Sequence, residues 1–491
     1  MTALAGLALY LDLATAMKLG EIIERHLKVR EGGQGWTDGE MVMSVILLNL
    51  AGGDHVSDIG RLESDEGFGR ILRTIRHHGL ARKTRRKLER RWRKKRERAA
   101  PSESAIFRYL AAFHDADQEK QRQCGVAFIP TPNQHLRGIV EVCKELVGFV
   151  QTHNKETTAT LDMDATLVET QKAEALFCYK HYKAYQPLNT YWAEQGLTIH
   201  TEFRDGNVPA GYQQKRVLEE ALEQLPAGVE TVRLRSDSAG YQHELMKFCE
   251  KNEGRFGRIE FSISSDVTPE FKKAVAEVKE GDWKSLSRIR DGKAEKTERQ
   301  WAEVCFAPGK MATSRNAPTY RYLATRELMQ QPPLPGIETQ PSLPFQTMEM
   351  SKQHYKVFGI VTNRDLEGNE LINWHNQRCG KSEEAHSVMK EDLAGGHLPS
   401  GDFGENAAWW WMMILASNLD VIMKRLVLGQ SWATKRLKAI RFQLINLPGR
   451  VINHARGLIV RISKSHPSFH SLVEARNRIA YFARAPVDPS G

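Results

Sequence analysis

The sequence predicts an α/β protein: a mixed β-sheet flanked by helices, with a helical N-terminal region before it and a β-rich insertion within it. Three observations predict this class. Apolar residues recur at helical spacing through the N-terminal region, as in PSESAIFRYLAAFHD, where Ile106, Tyr109, Leu110 and Phe113 form one stripe. From about residue 157 the period drops to two, and strand patterns follow in β-β and then β-α-β order, which belongs to mixed sheets covered by helices. Residues 266 to about 354 break that rhythm before YKVFGIVTN restores it.

The bulk numbers bound the function. A chain of 491 residues can bury more than one core, and 70 Lys and Arg against 60 Asp and Glu leave a net charge of +10. A polyanion is the partner to expect. Cys124, Cys143, Cys178, Cys249, Cys305 and Cys379 show no CxxC spacing, which argues against a zinc module or a disulfide framework and suits a reducing compartment. No run of about 18 uncharged apolar residues occurs, and Asp12 and Lys18 interrupt the mildly apolar start without a basic leader, so neither a span nor a secretory signal is expected.

In chain order, DGEMVMSVILLNLAG (residues 38 to 52) reads as an apolar helix stopped by Gly52-Gly53, and DHVSDIGRLESD as a shorter helical piece. Pro101 and Ser102 supply the start signals of the next helix. Between them lie twelve Lys or Arg from Arg82 to Arg98, with Trp92 in the middle. Such density repels itself unless counter-ions or a nucleic-acid backbone lie near, so Arg85, Arg86, Arg90, Arg91, Arg93, Lys94 and Lys95 are candidate DNA contacts. A solvated charged helix is the plainer alternative.

In TATLDMDATLV, alternation sets Ala159, Leu161, Met163 and Ala165 on one face and Thr160, Asp162 and Asp164 on the other. Asp is a poor strand former, and its buried charge is costly without a cation or donors to meet it. LTIHTEFRDGN reads as the next strand, RVLEEALEQL as a helix, and VETVRLRSDSAGYQ as a strand ending at Asp237. The carboxyl end of a strand is where ligands of such sheets sit. YQHELMKFCEKN is then a helix and GRIEFSISSD a further strand.

The segment from 266 to 354 holds a charged stretch, strand candidates in WAEVCFAP and TYRYLATRE, and the irregular QPPLPGIETQPSLPF. After YKVFGIVTN, a helix is expected between Gly380 and Gly395-Gly396 with Ser382 as its N-cap. On it Glu383, His386, Ser387 and Lys390 share one stripe, and Glu384 is rotated about 100° away. FGENAAWWWMMILASNLDVIMKRL is a buried helix whose Trp409, Trp410 and Trp411 read as core. AIRFQLINLPGRVINHARGLIVRI reads as two alternating strands joined at Pro448-Gly449.

Acids from two strands and one helix suit a pair of Mg²⁺ ions, which take hard oxygen ligands and clamp the attacking and leaving oxygens of a phosphoryl transfer. The trio LDMDAT (Leu161 to Thr166), RSDSAGY (Arg235 to Tyr241) and NQRCGKSEEAHSVMKEDL (Asn376 to Leu393) resembles the signature of bacterial insertion-sequence DDE transposases, in the branch with a β-rich insertion between the second Asp and the Glu.

The resemblance implies a ribonuclease-H-like core in which Asp164, Asp237 and Glu383 are the catalytic acids and hold two Mg²⁺, with Mn²⁺ able to substitute. Asp162 stays open as an outer-sphere helper, a structural residue held by neighbouring donors, or the alternative to Asp164, and Glu384 as the alternative to Glu383. Arg378 and Lys390 match basic positions around the glutamate and would contact DNA, and Trp374 or His375 stands where Tyr is common. The implied activity is cleavage at insertion-sequence ends and strand transfer into target DNA. The implied partners are double-stranded transposon and target DNA and a second copy in a synaptic homodimer, in the bacterial cytoplasm at the nucleoid. A catalytically inert DNA-binding relative and a nuclease that cuts without joining are the alternatives.

The expected divisions are a helical DNA-binding region (1–150), the first part of the core (151–265), the insertion (266–354), the second part of the core (355–430) and a basic C-terminal segment (431–491).

Overall fold

The structure is a computed structural model that describes residues 1–30, 35–77, 80–95, 97–123, 125–290, 293–309, 320–329, 345–454 and 457–483. Cys124 and most of the Pro-rich stretch lie outside the described residues.

The N-terminal region is helical: α1 (Leu7–Ala16), α2 (Leu19–His26), α3 (Asp38–Ala51), α4 (Ile59–Ser64), α5 (Glu66–Arg76), α6 (Arg82–Lys95), α7 (Glu103–Leu110) and α8 (Gln134–His153). Local chemistry sets the ends of α3. Thr37 and Glu40 form a reciprocal capping box, and Gly52 closes the helix at a φ of 87°, where a side chain would be strained. Ser102 caps α7 by accepting from the Ala105 amide, as its position predicts.

The sheet begins with β1 (Thr158–Ala165), β2 (Leu188–Trp192), β3 (Leu197–Glu202), β4 (Thr231–Ser236) and β5 (Glu260–Ser265). Their spatial order is β3-β2-β1-β4-β5. The first three are antiparallel, whereas β1, β4 and β5 run parallel. This is the ribonuclease-H-like arrangement, with α9 (Gln214–Glu223) and α10 (His243–Lys251) in the crossovers. β2 has no counterpart among the sequence expectations: LNTYW is short, and Leu188, Asn189, Thr190 and Trp192 are all buried, so no alternation marks it.

The insertion begins with α11 (Pro269–Ala276) and continues as β6 (Lys284–Arg290), β7 (Lys293–Val304), β8 (Arg321–Leu328) and β9 (Gln346–Met350). It is β-rich, as expected, and its strands extend the main sheet. β10 (Gln353–Thr362) pairs with β5 on one side and β8 on the other, giving ten strands in one sheet among the described residues. α12 (Gly368–Asn376) ties the insertion to the core. A side chain at Gly368 would collide with the Trp301 ring, and Asn369 and Asn373 bond the backbone of Ser287.

The core lies under α14 (Phe403–Ile422), which follows α13 (Lys381–Ser387) and a π-helical turn at Val388–Asp392. Trp409, Trp410 and Trp411 are buried, as read from the sequence. α14 packs against α3, α7, α8 and β3, so N-terminal helices, sheet and C-terminal helices share one apolar cluster.

Two expectations are corrected. The first half of AIRFQLINLPGRVINHARGLIVRI is helical at Leu437–Ile440 and Arg441–Ile445, and the hairpin begins only at β11 (Arg450–His454) and returns as β12 (Gly457–Arg461). Leu437, Ile440 and Leu444 recur at helical spacing and are buried together. Arg441 then reaches the carbonyls of Asn49 and Leu50 at the end of α3, satisfying that of Leu50 and adding a second donor to that of Asn49, which the Gly52 amide also serves. Ser382 is not the N-cap of α13. The helix starts one residue earlier, after Gly380 at a φ of 86°. The chain closes with α15 (Phe469–Phe482). Among the described residues no helix is long and apolar enough to cross a membrane.

Candidate active site on the strand ends

Strand register assembles the site in two rows on one face. In the inner row Tyr191 of β2, Asp162 of β1, Arg235 of β4 and Ser262 of β5 are successive cross-strand neighbours. One pleat repeat further on, Asp164 lies opposite Asn189, and the parallel register that pairs Met163 with Ser236 carries on toward Asp237. The rows stand roughly 6 to 7 Å apart, the rise of two strand residues. The same period of two in D-M-D and R-S-D therefore places an acid pair above an Asp–Arg pair.

The inner row is closed. Arg235 donates to both Asp162 oxygens at 2.6 and 2.8 Å and, through its remaining arm, to the Trp374 carbonyl at 2.7 Å. Both side chains are essentially inaccessible, at 2% and 0%. The Trp374 ring lies 5.2 Å from the Arg235 guanidinium and 4.2 Å from that of Arg364. Next along the chain, His375 bridges the Ser262 and Ser264 hydroxyls at 3.0 and 3.1 Å. Burial and the nearby Arg378 and Arg235 push its ring down to about 3, so it is neutral.

The outer row is only partly compensated. Asp237 ends β4 and fixes its carboxylate by accepting from the Ala239 amide at 3.0 Å. Among the described residues Asp164 meets a single cation, Arg378, at 3.2 Å. Burial pushes the Asp164 carboxyl up to about 7. Arg378 pulls the other way, and the negative charges of Asp237 and Asp162 add to the rise. Arg378 is itself buried, and its Nε has no hydrogen-bond partner among the described residues.

α13 crosses above these rows. A hydrogen-bond chain runs from Trp410 Nε1 to the Thr201 hydroxyl, on to Asn189 Oδ1, and from Asn189 Nδ2 to His386 Nε2, at 3.0, 2.6 and 3.2 Å. Burial, with Lys390 and Arg378 nearby, holds the His386 ring down at about 4, so it is neutral and Nε2 accepts. One turn later Lys390 Nζ donates to the Leu167 carbonyl at 3.4 Å. His386 thus pins the predicted stripe to β2, and Lys390 to the loop that follows β1. Glu383, on that stripe, and Glu384 are both exposed. The Tyr191 hydroxyl, pushed up to about 12 chiefly by burial, also feels the charges of Asp162 and Glu384.

Of the sequence-predicted site, the fold brings together Asp164, Asp237, Arg378 and Asp162, with Lys390 at the end of the same helix stripe. It does not gather Glu383 with the two aspartates: among the described residues no three Asp, Glu, His or Cys side chains close on one point. A divalent cation fits Asp164 and Asp237. Both offer hard oxygens and are half-buried, and the repulsion between the two carboxylates is what such a charge relieves. On α6, Arg85, Arg86, Arg90 and Arg91 are exposed, Arg91 pairing with Glu97 at 2.6 Å. The side chains of Trp92, Arg93, Lys94 and Lys95 lie outside what is described. Sequence reasoning missed Arg235, Asn189, and the anchoring parts of His375 and His386. The signal for Arg235 was the shared i, i+2 spacing before Asp164 and Asp237.

The family model described as transposase DDE domain, group 1, matches residues 1–323 and 345–483. No curated protein matches the chain. Among solved structures, a cryo-EM structure of a piggyBac transposase synaptic complex with hairpin DNA aligns over 98% of this chain and 82% of that one, at 9% identity and a TM-score of 0.40. A likeness so loose carries no argument about this chain.

Proposed function

The chain belongs to the transposase DDE domain family, group 1, and on that footing we propose that it cleaves DNA at the ends of an insertion sequence and joins them to target DNA. Asp164, Asp237 and Glu383 are the proposed catalytic acids. The observation that carries this reading is the outer row: two carboxylates at the C-terminal ends of adjacent parallel strands, close enough that Asp237 raises the Asp164 carboxyl.

A divalent cation, Mg²⁺ or Mn²⁺, would be held by Asp164 and Asp237 and would supply charge neutralisation for phosphoryl transfer. The chain's own residues do the rest. Arg378, with its unpartnered Nε, offers a guanidinium beside the acids for a phosphate oxygen. Lys390 adds a point charge on the same helix. Glu383 stands on the stripe that His386 and Lys390 hold in place, and Glu384, whose charge reaches the Tyr191 hydroxyl beside Asp162, is the alternative. The exposed arginines of α6 track the phosphate backbone and account for binding without sequence readout. Two copies, each with one DNA end, form the proposed synaptic complex.

The test is cleavage of a DNA carrying the terminal repeats that flank the gene, with Mg²⁺, read on a denaturing gel. Asp237→Asn and Glu383→Gln are expected to abolish cleavage with DNA binding retained, and Glu384→Gln to keep it. A pre-cut end should give strand-transfer products. Undiminished cleavage by Asp237→Asn overturns the assignment, and cleavage without joining points to a nuclease.

A further inference from the structure

The inner row is built for more than stability. Asp162 and Arg235 each stand two residues before an acid of the outer row, on the same face of adjacent strands. Arg235 spends all three arms of its guanidinium: two on Asp162, in one plane, and one on the Trp374 carbonyl at the end of α12. That carbonyl lies four residues before Arg378, which touches Asp164. His375 clamps the same helix end to β5 through Ser262 and Ser264. A single buried cation therefore ties together the strand bearing Asp164, the strand leading to Asp237 and the segment bearing Arg378.

We infer that Arg235, through its bidentate pair with Asp162 and its bond to the Trp374 carbonyl, is a positioning residue that sets the separation of Asp164 and Asp237 and the reach of Arg378. Asp162 is then the anchor of this strut. It is not a metal ligand, because both of its oxygens are taken by Arg235 and its side chain is inaccessible. The inference rests on the proposed catalytic role of the outer row and adds what holds that row in register. A buried ion pair is often replaceable by apolar residues without loss of stability, which makes geometry separable from folding.

The experiment uses the full chain and two variants. In Asp162→Leu combined with Arg235→Met, the pair is exchanged for apolar side chains. In Arg235→Lys the charge stays, but the fork and the bond to Trp374 are removed. Melting temperature, DNA affinity, single-turnover cleavage rate and the Mg²⁺ concentration for half-maximal rate are measured on each. Both variants are expected to bind DNA like wild type and to cleave about 10- to 100-fold more slowly, the scale of an ångström-level misplacement. Their half-saturating Mg²⁺ should rise. If the double variant melts below the assay temperature, Arg235→Lys carries the same test. A folded variant that cleaves at the wild-type rate with wild-type Mg²⁺ dependence overturns the inference. Asp237→Asn run in parallel separates the two readings: if it cleaves normally the catalytic assignment fails, whereas if it is dead and the Arg235 variants are fully active, only the strut fails.

Discussion

Replacing Asp164 by Asn should make the metal-free protein more stable. In the fold this carboxyl releases its proton at about 7 against an ordinary 3.8, chiefly because it is buried and then because Asp237 and Asp162 repel its charge. That displacement corresponds to roughly 4 kcal/mol of penalty on the charged form. Arg378, 3.2 Å away, loses its partner in the variant and returns part of the gain, so a net of about 1–3 kcal/mol is expected. The sign follows from linkage. The folded pKa lies above the unfolded one, so wild type loses stability relative to Asp164→Asn as pH climbs from 3.8 toward about 7, and the difference is level above that. The assay is urea unfolding in EDTA at pH 5 and pH 8. The variant should be the more stable at both, by the larger margin at pH 8, and added Mg²⁺ should stabilise wild type alone. A variant less stable than wild type at pH 8, or a margin independent of pH, refutes the electrostatic account of the outer row.

Other consequences are as direct. His386 and His375 are held neutral down to about 4 and about 3, below the ordinary 6.5, so the unfolded chain takes up protons that the fold refuses and stability should fall as pH drops below 6.5. His386→Gln should flatten part of that slope in acid-unfolding curves, and a ring that titrates near 6.5 by NMR contradicts the burial. Arg441→Met should cost about 1–3 kcal/mol, because it strands the Leu50 carbonyl at the end of α3 and leaves that of Asn49 with the Gly52 amide alone. Thermal melts decide it, and an unchanged melting temperature removes the cap. Replacing Arg82, Arg85, Arg86 and Arg90 by Ala should lower the salt dependence of DNA binding by about 0.9 in log-log slope for each phosphate that is no longer neutralised. An unaltered slope places the DNA elsewhere.

Much of this was legible in the sequence, for reasons that can be named. Alternation in TATLDMDATLV put Asp162 and Asp164 on one face, because a strand side chain has only two directions. The end of α3 and the start of α7 followed from Gly52 and Ser102, where capping chemistry is local. What stayed hidden depended on distant partners. β2 carries no alternation because it is central and covered on both faces. β6 and the first half of β7 hide in KSLSRIRDGKAEKTER, a charged ribbon with exposed Lys and Glu that composition alone does not separate from a solvated helix. The helical start of the C-terminal segment owes its form to buried Ile440 and Leu444 and to Arg441 reaching α3, interactions no local pattern announces. Asp162 read equally as ligand helper or structural acid until Arg235 was seen to occupy both its oxygens.

The account turns on Asp164 and Asp237 sharing a divalent cation, and crystals grown with Mn²⁺ test that most directly through anomalous diffraction. An anomalous peak within about 2.5 Å of carboxylate oxygens from both residues, absent in Asp237→Asn, is the result predicted. A difference map with no peak between them at saturating Mn²⁺, or a peak that persists unmoved in Asp237→Asn, contradicts it.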